Sequence, residues 1–232
     1  MINNKRVLAI VPARGGSKRL PRKNILTIAG KPLIHWTIEA ALNSKYIDEV
    51  LISTDDADIA DVSSKYNISL PELRPSGLST DQASTQDVIL YTLQKFGGDF
   101  DIVVILQPTS PLRQSEHIDG AFELFIKNEA FSIVSVTPCE HPPIWSNTLP
   151  VDGSMGKFLN KDSNKRSQEL DSYYRLNGAI YIYDVRKLIS NGEMKYTNKT
   201  YAYKMCNRTS VDIDTQLDFD FASLLLNKAT KY

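Results

Sequence analysis

The chain has 232 residues, with 27 Lys and Arg against 27 Asp and Glu, so its formal net charge is zero. It is 42% hydrophobic and 23% charged, which excludes a disordered chain and fits one globular domain with a full core. The basic surplus of a general nucleic-acid binder is missing, and so is any run near the ~20 apolar residues of a membrane helix.

Short apolar runs at Val7–Val11, Val50–Ser53, Ile102–Leu106 and Ser132–Val136 read as buried strands, because the apolar residues are consecutive rather than alternate. Helical patterns lie between them. Pro32–Ser44 carries Leu33, Ile34, Trp36, Ile38, Ala41 and Leu42 at helix spacing, and Asp58–Tyr66 is a weaker pattern. Ser84-Thr85-Gln86-Asp87 resembles a capping box ahead of Val88, Ile89 and Leu93, and Ser115 is a candidate cap for a helix carrying Ile118, Phe122 and Phe125. From residue 138 to 173 the chain is polar and rich in turns, too long for an ordinary connection, which predicts a lid or an arm that packs on a second subunit. The alternation resumes with Gly178–Tyr183 and Thr200–Met205 as strands, Val185–Ser190 as a short helix and Gln216–Lys228 as the last helix. This order predicts an α/β fold, Rossmann-like, with a mostly parallel sheet and helices on both faces. Two cysteines, Cys139 and Cys206, are too few for a disulfide framework, and the Val7–Val11 run is too short for a signal-peptide core, so a cytoplasmic protein is expected.

The first strand runs into Pro12-Ala-Arg-Gly-Gly-Ser-Lys-Arg-Leu-Pro-Arg-Lys-Asn24, where five of the ten residues Arg14–Lys23 are basic and none is acidic. Gly15 and Gly16 are expected to bring the backbone close to a ligand and to take positive φ, while Arg14, Lys18 and Lys23 add charge-assisted bonds to phosphate oxygens. Such a loop at the carboxyl end of a strand is where open α/β sheets bind ligands. It matches neither G-x-x-x-x-G-K-[ST] nor G-x-G-x-x-G, which disfavours a P-loop NTPase and a dinucleotide-dependent dehydrogenase. In Ser210-Val-Asp-Ile-Asp-Thr215 the alternate Asp212 and Asp214 would face one way in an extended segment, a pair of hard oxygen ligands suited to Mg²⁺ with substrate phosphates. Gln107, Thr109 and Ser110, at the end of an apolar strand, offer donors for a polar ligand. Acids cluster at Asp55, Asp56, Asp58 and Asp61, of which Asp58 and Asp61 read as residues of a helix's first turns, and the three histidines lack metal-ligand spacing.

The run Ala9–Asn24 resembles the signature loop of the acylneuraminate cytidylyltransferases, the CMP-sialic acid synthetase family, including its CMP-legionaminic acid branch. Gly30–Ile34, Ser53–Asp56, Arg74-Pro75 with Asp81–Thr85, Leu106–Arg113, Tyr174–Tyr181 and Asp212–Asp214 match further motifs in order. The resemblance implies a nucleotidyltransferase-type fold in a single domain over residues 1–232, with 138–173 as a dimerisation arm and a homodimer as the assembly. It implies transfer of CMP from CTP to the anomeric hydroxyl of a nonulosonic acid, with release of pyrophosphate. Its catalytic residues would be Arg14, Lys23 and Asp214. CTP would be held by Ala13, Arg14, Gly15, Ser17, Lys23, Asn24, Arg74, Ser84 and Thr85, and Mg²⁺ by Asp212 and Asp214. The sugar acid would be held by Gln107, Arg166, Gln168, Arg175, Asn177 and Tyr181. The Arg166–Asp171 stretch departs from the family pattern, which tends to have Pro where Asp171 stands. The rival acceptor is 3-deoxy-manno-octulosonate, whose enzymes usually place an Asp at the position of Gln107. Outside this class stand a nucleotide-sugar-dependent glycosyltransferase with an Asp-x-Asp site and a non-catalytic nucleotide-binding regulator.

Overall fold

The computed structural model describes residues 4–66, 68–80, 82–159 and 170–229. In chain order it contains β1 (Val7–Ala13), a short hairpin of β2 (Thr27–Ile28) and β3 (Lys31–Pro32), α1 (Leu33–Leu42), β4 (Glu49–Thr54), α2 (Ala57–Ser63), α3 (Thr85–Phe96) and β5 (Ile102–Ile105). After these come α4 (Ser115–Lys127), β6 (Ser132–Pro138), β7 (Tyr174–Asp184), α5 (Val185–Asn191), β8 (Thr200–Lys204) and α6 (Gln216–Ala229). The main sheet has the order β4-β1-β5-β7-β6-β8. All its pairings are parallel except those of β7, which runs against β5 and β6. The expected mostly parallel α/β sheet is therefore present.

The consecutive apolar residues of β1 serve two faces. Val7, Ala9, Val11 and Ala13 pack with Ile34 and Ile38 of α1 and with Ile118 and Phe122 of α4. Leu8 and Ile10 point the other way, against Ile89 and Leu93 of α3 and Leu188 of α5. A strand buried on both sides needs this composition.

A third cluster sets the site. Leu20, from the basic loop, packs with Ile28, Leu33, Ile213, Ala222 and Leu226, so α6 and the segment before it are held against that loop. Thr215 and Asp218 bond reciprocally at the start of α6: the Asp218 N–H donates to Thr215 Oγ1 at 3.4 Å, while Asp218 Oδ2 accepts from the Thr215 N–H at 2.7 Å and from its hydroxyl at 2.8 Å. Segments almost two hundred residues apart in sequence are thereby fixed as neighbours.

Some expectations are revised. The β2–β3 hairpin carries no clear turn signal in the sequence, because its two-residue turn puts Ala29 at φ 46 beside Gly30 at φ 89, and alanine is not a usual left-handed residue. Ser115 is the first residue of α4 rather than its cap; the chain enters at Gln114, whose N–H donates to His117 Nδ1 at 3.1 Å. β7 begins at Tyr174, earlier than Gly178, because the exposed Tyr174–Leu176 pair with the end of β6. The 138–173 excursion is rooted where β6 and β7 meet, with the Cys139 N–H bonded to the Tyr173 carbonyl at 2.9 Å.

Candidate active site

A cavity of about 540 Å³ opens at the carboxyl ends of β1 and β5. Of the residues expected to bind, Arg14, Ser17, Lys23, Asn24, Arg74, Thr85, Gln107 and Asp214 line it. The basic loop forms one wall. Asn24, buried, closes the loop on itself by donating from Nδ2 to the Arg14 carbonyl at 3.0 Å. Gly15 donates its N–H to Asp55 Oδ1 at 3.2 Å, and that oxygen also accepts from Arg74 Nη2 at 3.4 Å.

The two glycines act differently from expectation. Neither has positive φ; the left-handed residue of the loop is Arg22, at φ 55. Gly15 is needed for close packing against protein, since a Cβ there would lie 2.3 Å from Asp56 Oδ2. Gly16 faces open space, with nothing within 4 Å of its would-be Cβ. Asp56 is itself fixed as the cap of α2, accepting from the N–H groups of Asp58 and Ile59 at 2.9 and 3.1 Å.

Arg74 forms a buried second cationic wall. It donates from Nη1 to the Ser53 carbonyl at 3.2 Å and from Nε to Ser79 Oγ at 3.2 Å. Burial lowers its pKa, Asp55 opposes that, and the positive charge of Arg14 adds to the lowering, so the two guanidinium groups feel each other across the cavity. A cleft lined by several cationic side chains is suited to a polyanion.

Opposite stands Asp214. Lys23 Nζ lies 3.1 Å from its Oδ1 and Arg19 Nη1 lies 3.1 Å from its Oδ2. Lys23 also donates to the Ile213 carbonyl. Arg19, which lines the cavity, was not singled out in the sequence; only the density of bases in the loop signalled it. Asp212 lies beyond the lining, beside the bulge of β7. Gly178 has φ +73 there, and a Cβ on it would sit 3.5 Å from Gln107 Oε1 and 4.0 Å from Asp212 Oδ2. Although Asp212 has an exposed edge, the protein packed around its carboxyl raises its pKa. The Thr109 hydroxyl works against that rise, the charge of Asp214 adds to it, and Lys23 again opposes it.

Several expected contacts are placed elsewhere. Ala13 keeps its side chain in the core. The Ser84 hydroxyl is spent on the capping box of α3, with Asp87 N–H donating to it at 3.1 Å, so Thr85 rather than Ser84 faces the cavity. Asn177 is 2% exposed and bonded within the protein, accepting from Ser135 Oγ at 2.6 Å and donating to Ser210 Oγ at 2.9 Å; its expected contact with the sugar acid is corrected to an internal brace. Arg175 is exposed and grips Glu140 through Nη2 at 2.8 Å and Nε at 3.3 Å, a pairing that raises its pKa. Tyr181 sits on β7 between β5 and β6, and burial raises its phenol's pKa. Arg166 and Gln168 lie outside the described residues.

A mostly parallel α/β sheet, a glycine-containing basic loop after its first strand and a carboxylate facing that loop define a protein of the nucleotidyltransferase type. The sequence model described as cytidylyltransferase matches residues 8–229, and the chain belongs to that family. It is 40% identical to a CMP-N,N'-diacetyllegionaminic acid synthase from Legionella pneumophila, over 95% of this chain and 96% of the relative. It is 36% identical to a pseudaminic acid cytidylyltransferase from Campylobacter jejuni, over 94% of this chain and 95% of the relative. An N-acylneuraminate cytidylyltransferase from Escherichia coli is 34% identical, but this chain spans only 53% of its length. Among solved structures, a CMP:2-keto-3-deoxy-manno-octonic acid synthetase complexed with CTP shares the fold, with a TM-score of 0.74 at 18% identity over 97% of this chain and 100% of that one.

Proposed function

We propose that the protein transfers CMP from CTP to the anomeric hydroxyl of a nonulosonic acid and releases pyrophosphate. The observation that carries this reading is the cavity itself, in which Arg14, Lys23 and Arg74 face Asp214 at the strand ends. The acceptor class follows from the relatives that match nearly end to end, which are named for legionaminic and pseudaminic acids.

In this reading the acceptor's hydroxyl oxygen bonds to the α-phosphorus as the bond to the β-phosphate oxygen breaks. Pyrophosphate leaves with the electron pair, and the hydroxyl proton passes to solvent. Arg14 and Lys23 hold the triphosphate and offset the charge that grows on the leaving oxygens. Ser17, Asn24 and the open backbone at Gly16 fit the phosphate oxygens, while Arg74 and Thr85 border the place of the base. Gln107, Arg175 and Tyr181 fit the sugar acid, with the Arg175 fork suited to a carboxylate once Glu140 yields it.

Asp212 and Asp214 suit Mg²⁺. Both offer hard oxygens, and they stand near enough for the charge of Asp214 to raise the pKa of Asp212. When bound, that ion supplies charge neutralisation and lowers the pKa of an attached hydroxyl. Lys23 keeps Asp214 oriented toward the cavity. The 138–173 excursion is read as a dimerisation arm, because Leu149, Val151 and Met155 stand exposed there, and a second subunit would cover them.

Pyrophosphate release tests the reading, with CTP, UTP, ATP and GTP each offered against N,N'-diacetyllegionaminate, pseudaminate, N-acetylneuraminate and 3-deoxy-manno-octulosonate. Release with CTP and a nine-carbon acid is the expected result. Release that is indifferent to the nucleotide, or obtained only with the octulosonate, would refute it.

A further inference from the structure

Arg113 is 1% exposed, and among the described residues no carboxylate pairs with it. Burial pushes its pKa down to about 9, so it stays cationic at neutral pH. A buried cation without a counter-charge is unfavourable, and a residue kept only for packing would be apolar. Its bonds suggest what it is kept for. Nη1 donates to the Gln107 carbonyl at 3.1 Å and to the Ala179 carbonyl at 3.0 Å, and Nη2 donates to Thr37 Oγ1 at 2.6 Å. Thr37 Oγ1 passes its own proton to the same Gln107 carbonyl at 3.3 Å.

These bonds converge on the backbone of Gln107 and of Ala179, both beside Gly178. Gln107 lies two residues past the end of β5, and Ala179 follows Gly178 in the β7 bulge, where a Cβ on Gly178 would sit 3.5 Å from Gln107 Oε1 and 4.0 Å from Asp212 Oδ2. Both peptides that flank Ala179 are held: its carbonyl accepts from Arg113, and its N–H donates to Asn177 Oδ1 at 3.2 Å. Asn177 in turn donates to Ser210, two residues before Asp212.

We propose that Arg113, with Thr37, is a positioning residue for the acceptor side of the site: it locks the Gln107 strand end to the β7 bulge and so sets where the sugar acid sits. The proposal rests on the reading of Gln107 as an acceptor contact. A planar fork is required, because a lysine ammonium cannot reach three acceptors in one plane.

The test is a steady-state comparison of Arg113→Lys, Thr37→Val and Gln107→Ala with the wild type, using N,N'-diacetyllegionaminate and N-acetylneuraminate as acceptors, with CTP affinity measured separately by titration. Arg113→Lys should raise the acceptor KM about tenfold, with CTP affinity changed by no more than about twofold. Thr37→Val, which keeps the shape and the arginine, should move the acceptor KM in the same direction by less. A melting temperature that falls with acceptor KM and CTP affinity both unchanged, or a rise in acceptor KM matched by an equal loss of CTP affinity, would overturn the proposal. Should Arg113→Lys fail to fold, an unchanged acceptor KM in Thr37→Val would overturn it. An unchanged acceptor KM in Gln107→Ala would instead sink the reading of Gln107, a separate failure.

Discussion

Replacing Gly15 by alanine tests how the basic loop is held. The new Cβ would meet Asp56 Oδ2 at 2.3 Å and Asp56 Cβ at 2.8 Å. Asp56 cannot simply swing away, because its Oδ1 caps α2 through two N–H groups. Relief of about 1 Å therefore has to come from the cap or from the loop. Overpacking of this kind costs about 1–3 kcal/mol. Losing the cap costs about 1 kcal/mol. A net loss near 2 kcal/mol corresponds to a melting temperature lower by about 4–8 °C in a domain of this size. If the loop moves instead, the Gly15–Asp55 bond is broken and the phosphate wall shifts, so CTP affinity falls. Gly16→Ala is the control: it has open space and ordinary φ, so its stability should stay within about 0.5 kcal/mol of wild type. Differential scanning fluorimetry and CTP titration read both variants. Identical melting temperatures and CTP affinities for Gly15→Ala and Gly16→Ala would refute the packing argument.

Three further predictions follow from the site. Asp214→Asn should abolish pyrophosphate release while circular dichroism stays native; retained turnover would place the metal elsewhere. Asp212 has a folded pKa above its unfolded value, so it favours folding at low pH and that contribution is lost as pH rises through the folded pKa. Asp212→Asn should therefore gain in melting temperature relative to wild type between pH 4 and pH 7, about the range above an ordinary carboxyl's titration; a difference that is flat with pH would contradict this. Removing Pro143–Ser172 should give a monomer by sedimentation, and an intact dimer would remove the arm from the interface.

The sheet was legible because buried parallel strands must be apolar on consecutive positions, and Val7–Val11 and Ile102–Leu106 obey that rule. The start of β7 was not, since Tyr174, Arg175 and Leu176 are exposed and offer no buried apolar pattern, although they pair with the end of β6. In the site, the density of bases in Arg14–Lys23 and the alternate acids of Asp212–Asp214 were visible as two patches. Their contact was not, because it depends on Leu20 packing with Ile213 and Leu226. Asn177 and Arg113 mark the limit most clearly. A polar residue beside a motif looks the same in sequence whether it faces a ligand or braces the backbone behind it. Only burial and bond partners separate the two, and these put Asn177 and Arg113 behind the site. Asp55 shows the reverse: one acid of a cluster to which the sequence assigns no ligand role ties Gly15 to Arg74.

Phosphorus-31 NMR of a reaction containing CTP, Mg²⁺ and N,N'-diacetyllegionaminate or N-acetylneuraminate tests the central claim most directly. The account predicts a phosphodiester resonance from the CMP-linked acid appearing in step with pyrophosphate, and only when acid is present. Free CMP with pyrophosphate, CDP with phosphate, or a nucleotide signal that changes without an acceptor would contradict it.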